Sequence, residues 1–368
     1  MPTERRGHAS SVPAPVVRLD PSAIRENATA VRDRFDGRVV GVTKAVCGDP
    51  VVARAMLAGG LDGLADSRVR NLERLRDAVG PHVERTLLVS PTVGDVGRVL
   101  RAADRSLVTE RAVVEALSAA ARRRGLTHDV VVMVDTGDRR EGVLPADAPA
   151  LVAAAADLDG VRVAGVGTNV GCLSGVLPTA ESMASFVETV EACEAAVGRR
   201  LDVVSGGSSV TLPLAEAGDL PARVNELRVG EAILLGTDAA RDRHLPSLRR
   251  DAFTLHAEVV ECKRKPATPA GPQGQPVDGT RPDPESRAEG PRRRAVLTLG
   301  RQDTVPEQLD PVRDGVRVVG ASSDHTVCDV TDAGDVAVGD RLAFRLGYRA
   351  LLQASTSAYV TRVVGETE

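Results

Sequence analysis

From residue 39 to about residue 235 the chain alternates between two patterns. Short runs of β-branched and aliphatic residues occur at 39–43, 61–65, 86–90, 106–109, 129–134, 161–167, 201–205 and 224–230. Runs of this length suit strands buried on both faces. Between them, Ala-, Arg- and Glu-rich stretches at 50–58, 69–78, 94–103, 111–124, 146–156 and 179–197 suit helices. This alternation predicts an α/β protein with a parallel sheet. Eight strands followed by helices is the number that closes a (β/α)8 TIM-type barrel. Pattern alone leaves an open doubly wound sheet as the alternative, but no GxGxxG follows the first run, which weakens a dinucleotide-binding version.

The pattern changes after about residue 250. Strand-like runs at 253–262, 294–300, 315–319, 326–330, 341–346 and 358–364 follow one another with no long helical pattern between them. A C-terminal all-β domain over 246–368 is therefore expected, behind a barrel over 16–245. The Pro-, Gly- and charge-rich stretch at 263–294 predicts a long loop between strands, and residues 1–15 a disordered tail.

Composition narrows the function. The 368 residues carry a net charge of −4, with no Trp, two Tyr and four Phe. Neither a basic footprint nor a set of stacking aromatics for nucleic acid is present, and the core must be aliphatic. The cysteines Cys47, Cys172, Cys193, Cys262 and Cys328 are dispersed and form no CxxC pair, which argues against a disulfide framework and a zinc site. No apolar run is long enough to span a membrane and the start is polar, so a soluble, cytoplasmic protein is expected. No HExxH or GxSxG motif occurs.

Polar clusters fall where the predicted strands end, the end at which barrels gather their chemistry. Lys44 follows the first β-branched run. A lysine there is either solvated at a strand end or able to form a Schiff base with a carbonyl compound. Ser205-Gly-Gly-Ser-Ser209 opens a short helical segment. It is either a capped loop or an anion site built from backbone N–H groups. Arg228 precedes Gly230. It offers fixed donors to a ligand, or pairs with a carboxylate such as Glu226. The charged segment 135–142 suits carboxylate or phosphate recognition, or is a solvated turn. His325 is either a structural hydrogen-bonder or a base.

Taken in order, several stretches resemble the alanine racemase-like, fold-type III PLP enzymes, nearest to their alanine/ornithine racemase-type branch. They are Val-Thr-Lys44-Ala-Val-Cys-Gly-Asp-Pro, Ala65-Asp-Ser-Arg, Arg139-Arg-Glu-Gly142, Gly167-Thr-Asn-Val-Gly-Cys172, Asn225-Glu-Leu-Arg-Val-Gly-Glu-Ala-Ile-Leu-Leu-Gly236, Gly300-Arg-Gln-Asp303 and Gly320-Ala-Ser-Ser-Asp-His325. The resemblance runs from about residue 16 to 362. It implies a barrel bearing pyridoxal 5'-phosphate (PLP), a C-terminal β domain, and a head-to-tail homodimer in which that domain completes the partner's site. By position, Lys44 would carry PLP through its amine. Ser208, Ser209, Gly230 and the backbone of Glu231 would cradle the phosphate, with Tyr348 as a further phosphate contact. Arg228 would face the pyridine nitrogen, and Asn169 stands where many relatives carry a histidine. Arg140 would shape the carboxylate end of the site. Asp66, Asp138, Glu141, Ser323 and Asp324 are candidates for substrate contact.

The implied reaction is racemisation of a free amino acid, ornithine or another basic one or alanine, through abstraction of the Cα proton. A different reaction on the same fold (decarboxylation, lyase chemistry or a specialised biosynthetic step) and a non-catalytic PLP-binding protein are the alternatives. The chain departs from the alanine racemase pattern at Gly300-Arg301-Gln302-Asp303, where those enzymes carry a tyrosine after the glycine. The second acid/base is then His325, Asp303 or Cys47, with His325 preferred because its ordinary pKa suits proton exchange near neutrality. No metal is expected.

Overall fold

The computed structural model describes residues 14–272, 274–275 and 290–365. The tail expected at 1–15 lies outside them except for its last two residues, as do residues 273 and 276–289 of the expected 263–294 loop. The chain divides into two compact units. One spans Pro21–Arg250. The other is formed from Asp251 onward together with the segment ending at Asp20.

In the first unit all eight predicted strands are present. After β1 (Val16–Leu19), which belongs to the other unit, come β2 (Arg38–Val42), β3 (Gly63–Asp66), β4 (Arg85–Leu87), β5 (Arg105–Val108), β6 (His128–Val134), β7 (Val161–Thr168), β8 (Val203–Ser205) and β9 (Glu226–Val229). They pair in parallel and close into a barrel. The closure is β9 against β2, in register from Arg38 opposite Glu226 to Gly41 opposite Val229. Helix α1 (Pro21–Arg32) precedes the barrel. Helices α2 (Pro50–Ala58), α3 (Val69–Val79), α4 (Val96–Ala102), α5 (Arg111–Arg122), α6 (Ala148–Ala156), α7 (Ala180–Val197), α8 (Leu212–Ala217) and α9 (Glu231–Leu235) follow one strand each.

Local signals start these helices. Asp49 caps α2, accepting from the N–H groups of Val51 (2.7 Å) and Val52 (3.2 Å), with Pro50 at the first helical position. Thr179 and Ser182 form a reciprocal capping box on α7, which ends at Gly198 in the left-handed conformation. Helix α1 was not expected from the pattern. Its buried Asn27 ties it down, donating to the carbonyls of Ile233 and Arg249 (both 2.9 Å) and accepting from Arg249 N–H (2.7 Å). That partner is 222 residues away in sequence, so no local pattern announces it.

The second unit is a strand-rich sheet. After the short hairpin strands β10 (Thr237–Asp238) and β11 (Arg243–His244) come β12 (Phe253–Pro266), β13 (Pro291–Leu297), β14 (Leu309–Pro311), β15 (Arg317–Ala321), β16 (Thr326–Asp329), β17 (Arg341–Leu346) and β18 (Thr361–Val364). The sheet order is β14-β17-β12-β13-β16-β15, with β1 pairing both β12 and β18. Three expectations are corrected here. β1 was assigned to a barrel beginning at residue 16, but its backbone donors pair antiparallel with β12 and parallel with β18. The ends of the expected 263–294 loop are strand, because β12 and β13 continue their ladder to Pro266 opposite Pro291. The domain is not purely β, since helix α10 (Tyr348–Thr356) buries Ala350, Leu351 and Ala354.

Barrel closure leaves no spare room at Gly165 on β7. A Cβ there would lie 1.9 Å from the Val203 carbonyl oxygen of β8. Gly165→Ala should therefore lower the unfolding free energy by about 3 kcal/mol or more, read by chemical denaturation. A wild-type midpoint in that variant would contradict the close approach.

Candidate active site

Lys44 sits just past the end of β2, on a single turn of 3-10 helix over Lys44–Val46. It is half-buried. The turn is anchored through Thr43, whose N–H donates to the Ala65 carbonyl (2.9 Å) and whose hydroxyl donates to Asp66 Oδ2 (2.8 Å). Asp66 Oδ1 accepts from Asn71 Nδ2 (2.9 Å) and Arg68 N–H (3.0 Å). Asp66 was a candidate for receiving a substrate ammonium. Instead it is fully buried, with both oxygens turned to its own chain. Burial raises its pKa, opposed by the hydrogen bonds from Thr43 and Asn71. Cys47 and Gly48 continue the turn in the left-handed region (φ 56° and 64°), where a Cβ on Gly48 would sit 2.8 Å from Asn71 Cβ. Arg74 holds the Cys47 carbonyl (2.9 Å).

Across the barrel closure lie the loops after β8 and β9. Ser209 is buried at the start of a short 3-10 turn (Ser209–Thr211), with Ser208 half-buried before it. Its hydroxyl accepts from Ala232 N–H (3.1 Å), which ties that turn to the start of α9. Gly207 has φ +117°, and a Cβ there would lie 2.6 Å from Thr211 Oγ1. Gly230 lies against β2, where a Cβ would be 3.0 Å from both Val42 O and Val42 Cβ. Glu231 points its side chain away, accepting from Thr237 Oγ1 and Ala239 N–H (both 2.7 Å). Burial raises the pKa of this carboxyl.

Arg228 is buried on β9. It donates to the Thr168 carbonyl (2.8 Å) and to Ser205 Oγ. Burial lowers its pKa, opposed by Glu226. The hydrogen-bonded ion pair weighed for it in the sequence forms elsewhere, because Glu226 Oε2 accepts from Arg105 (2.9 Å), and the hydrogen bonds from Glu226 to Arg228 run through Ser205.

The β6 and β7 loops are built around Asp138. Its carboxylate accepts four backbone N–H groups, from Gly171 (3.2 Å), Cys172 (3.2 Å), Leu173 (2.9 Å) and Ser174 (3.0 Å). Burial pushes its pKa up, but the four N–H groups outweigh that and hold it below 3.8. Asp138 therefore fixes the loop carrying Asn169, whose amide donates to Cys172 Sγ (3.1 Å). Arg140 and Glu141 form an ion pair at the exposed edge.

The remaining candidates lie in the second unit. His325, Ser323 and Asp324 are exposed, and Tyr348 is half-buried at the first position of α10. His325 Nδ1 is 3.2 Å from the Leu297 carbonyl. The 300–303 and 322–325 segments are joined by Arg301 N–H to Ser322 O (2.9 Å), Gln302 N–H to Ser323 O (3.1 Å) and Gln302 Nε2 to Asp324 (2.9 Å). Asp303, a candidate for proton exchange, is buried and accepts from Gly300 N–H and Ser357 Oγ (both 3.2 Å). A carboxylate held this way orders its loop. Among the described residues no cluster of three or more His, Cys, Asp or Glu side chains could hold a metal ion.

Asn71 and Arg105 stand outside every sequence motif, and Thr43, Thr168 and Ser205 lie within motifs that gave them no role of their own. Only one signal was available, the period of two that puts Glu226 and Arg228 on the same face of one strand.

The family model "Alanine racemase, N-terminal domain" matches residues 19–238. The chain belongs to that family. It is 38% identical to a lysine racemase of Thermotoga maritima over 92% of this chain and 95% of that protein. It is 33% identical to an ornithine racemase of Acetoanaerobium sticklandii over 95% and 99%. Among solved structures, an alanine racemase from Streptomyces lavendulae shares the fold with a TM-score of 0.73 at 21% identity, covering 97% of this chain and 99% of that one.

The Asp138 contacts predict a pH dependence. A carboxyl whose folded pKa is depressed adds stability that is present above its unfolded value of 3.8 and is lost as pH falls through the folded value. Asp138→Asn presents an N–H2 group to N–H donors. It should cost about 2–4 kcal/mol near pH 7 by urea denaturation, with the gap to wild type narrowing below about pH 4. A gap that stays constant with pH would refute the assignment.

Proposed function

We propose that this chain is a PLP-dependent racemase of a free basic amino acid, lysine or ornithine. The observation that supports the reading most is the closure of β9 on β2, which brings Gly230 against Val42, two residues before Lys44. The likeness to a lysine racemase and an ornithine racemase supports it.

The residues fit this cofactor. Gly207 and Gly230 occupy positions where any Cβ would crowd the neighbouring backbone or Thr211. Such a bare backbone suits the close approach of a phosphate. Ser208, Ser209, Gly230 and the backbone of Glu231 would hold that phosphate, Tyr348 would add a contact, and Lys44 would carry the aldehyde end. When bound, PLP supplies a carbonyl for the substrate's amine and a ring that draws electrons from the Cα–H bond.

The chain's own groups do the rest. Lys44, with its amine free, would take or return the substrate's Cα proton on its face. Arg228 would face the ring nitrogen as a donor, and because a guanidinium does not readily give up its proton it would leave that nitrogen unprotonated. Asn169 follows Thr168, whose carbonyl accepts from this arginine. Arg140 offers a forked donor to the substrate carboxylate. When a carboxylate takes over that guanidinium, the Glu141 side chain is released and can receive a side-chain ammonium, which lysine and ornithine carry and alanine lacks. For the opposite face we assign His325. The Leu297 carbonyl can only accept, so the neutral ring keeps its hydrogen on Nδ1 and leaves Nε2 as the base. In a head-to-tail homodimer this residue, with Ser323 and Asp324, would come from the second copy.

The test is chiral chromatography of L-lysine, L-ornithine and L-alanine incubated with the PLP-loaded protein in D2O. The expected product is the D-enantiomer with deuterium at Cα. Lys44→Ala should abolish the visible cofactor band and reduce turnover roughly a thousandfold. Full turnover in that variant would sink the proposal. Exchange at Cα without inversion would point to another reaction.

Glu141→Gln should lower the lysine-to-alanine ratio of kcat/KM roughly tenfold. An unchanged ratio would remove Glu141 from substrate selection.

A further inference from the structure

The interior of the barrel carries a line of polar side chains leading to Arg228, and below that residue the proposed chemistry uses none of them. Arg105 on β5 and Glu226 on β9 belong to strands four positions apart in an eight-stranded closed sheet, so they face each other across the interior. Their side chains meet at 2.9 Å with only 5% and 3% of their surface exposed. Arg105 is also held by Glu84 at 3.1 Å, and Glu84 by Arg38 at 3.2 Å. From Glu226 the line climbs towards the strand C-terminal ends, through Ser205 Oγ (2.9 Å from Glu226 Oε1) to Arg228.

The proton inventory of this line is forced. An arginine only donates and a carboxylate only accepts. Ser205 must therefore accept from Arg228 and give its own hydrogen to Glu226. A hydroxyl polarised by a buried carboxylate is a stronger acceptor. With Thr168 O on Nη2 and Ser205 on Nη1, two terminal nitrogens of the guanidinium are fixed from below.

We propose that Glu226, acting through Ser205 and locked in place by Arg105, is a positioning residue that aims and electrostatically balances the Arg228 guanidinium. This deepens the cofactor reading above and rests on it. Replacing Glu226 by Gln removes the charge. It can also force the Ser205 hydroxyl to turn, because an amide N–H2 facing Ser205 needs an acceptor. Ser205→Ala breaks the same line while leaving both charges in place.

The test compares the PLP-loaded wild type with Glu226→Gln and Ser205→Ala. It reads the visible absorption band from pH 6 to 10, kcat and KM for lysine, and the melting temperature. Each variant that binds cofactor should show a shifted band, or a pH-dependent one where the wild-type band is constant. Each should lose roughly ten- to a hundredfold in kcat, with KM within about threefold of wild type. Should Glu226→Gln fail to fold, Ser205→Ala decides alone. Wild-type band and kcat in Ser205→Ala, whatever the melting temperature, overturn the proposal and leave the line a purely structural one. A wild-type protein with no visible band that Lys44→Ala removes overturns the cofactor reading itself, and that outcome is recognised before any Glu226 variant is made.

Discussion

The constraint on which the molecule turns is the pairing of its last barrel strand with its first. Glu226–Val229 lies in parallel register on Arg38–Gly41, and this closes eight strands into a ring without an edge. One consequence is structural, since every strand finds two neighbours. The other concerns chemistry. Closure brings residues numbered in the forties and the two-hundreds onto one rim. Gly230 approaches Val42 so closely that a methyl group there would press on the Val42 carbonyl. The segment after Gly230 and the Lys44 turn thus leave the same pair of strands.

The rim is held by carboxylates that face inward to the chain. Asp66 clamps Thr43 under the lysine turn, Asp138 gathers four N–H groups under the β7 loop, and Glu231 ties down the segment after α9. Each is buried or nearly so, and each is occupied by hydrogen bonds, as the cost of burying charge requires. Acidic residues in a site loop thus divide into two kinds. Those with satisfied oxygens shape the loop. Glu141 lies on the exposed edge, where its carboxylate pairs with the Arg140 side chain and not with backbone N–H groups.

The barrel interior follows the same rule at greater cost. Most of its inward positions are aliphatic, with Val40, Val42 and Ala65 in one cluster and Leu107, Val131, Met133 and Val203 in another. The Arg105–Glu226 pair interrupts this packing. A buried ion pair adds little stability over a well-packed apolar pair. Its connection to Arg228 gives it a reason to be there that packing does not supply.

The alternation of apolar runs with helical stretches determined the eight barrel strands and their order, because burial on both faces writes itself into each strand locally. It also determined that Lys44, Ser209 and Arg228 lie at strand ends. It did not reveal α1, whose anchor is Asn27 reaching Arg249, nor that Val16–Leu19 joins the sheet formed by residues far downstream. Nor could it sort Asp66 and Asp303 from Glu141, since burial and hydrogen-bond partners separate these carboxylates and their composition does not. The sequence by itself settled which residues stand at the ends of strands. Only the closed tertiary structure decided which of them meet, because partners such as Arg105 and Glu226 become neighbours only when opposite walls of the barrel are brought within the reach of two side chains.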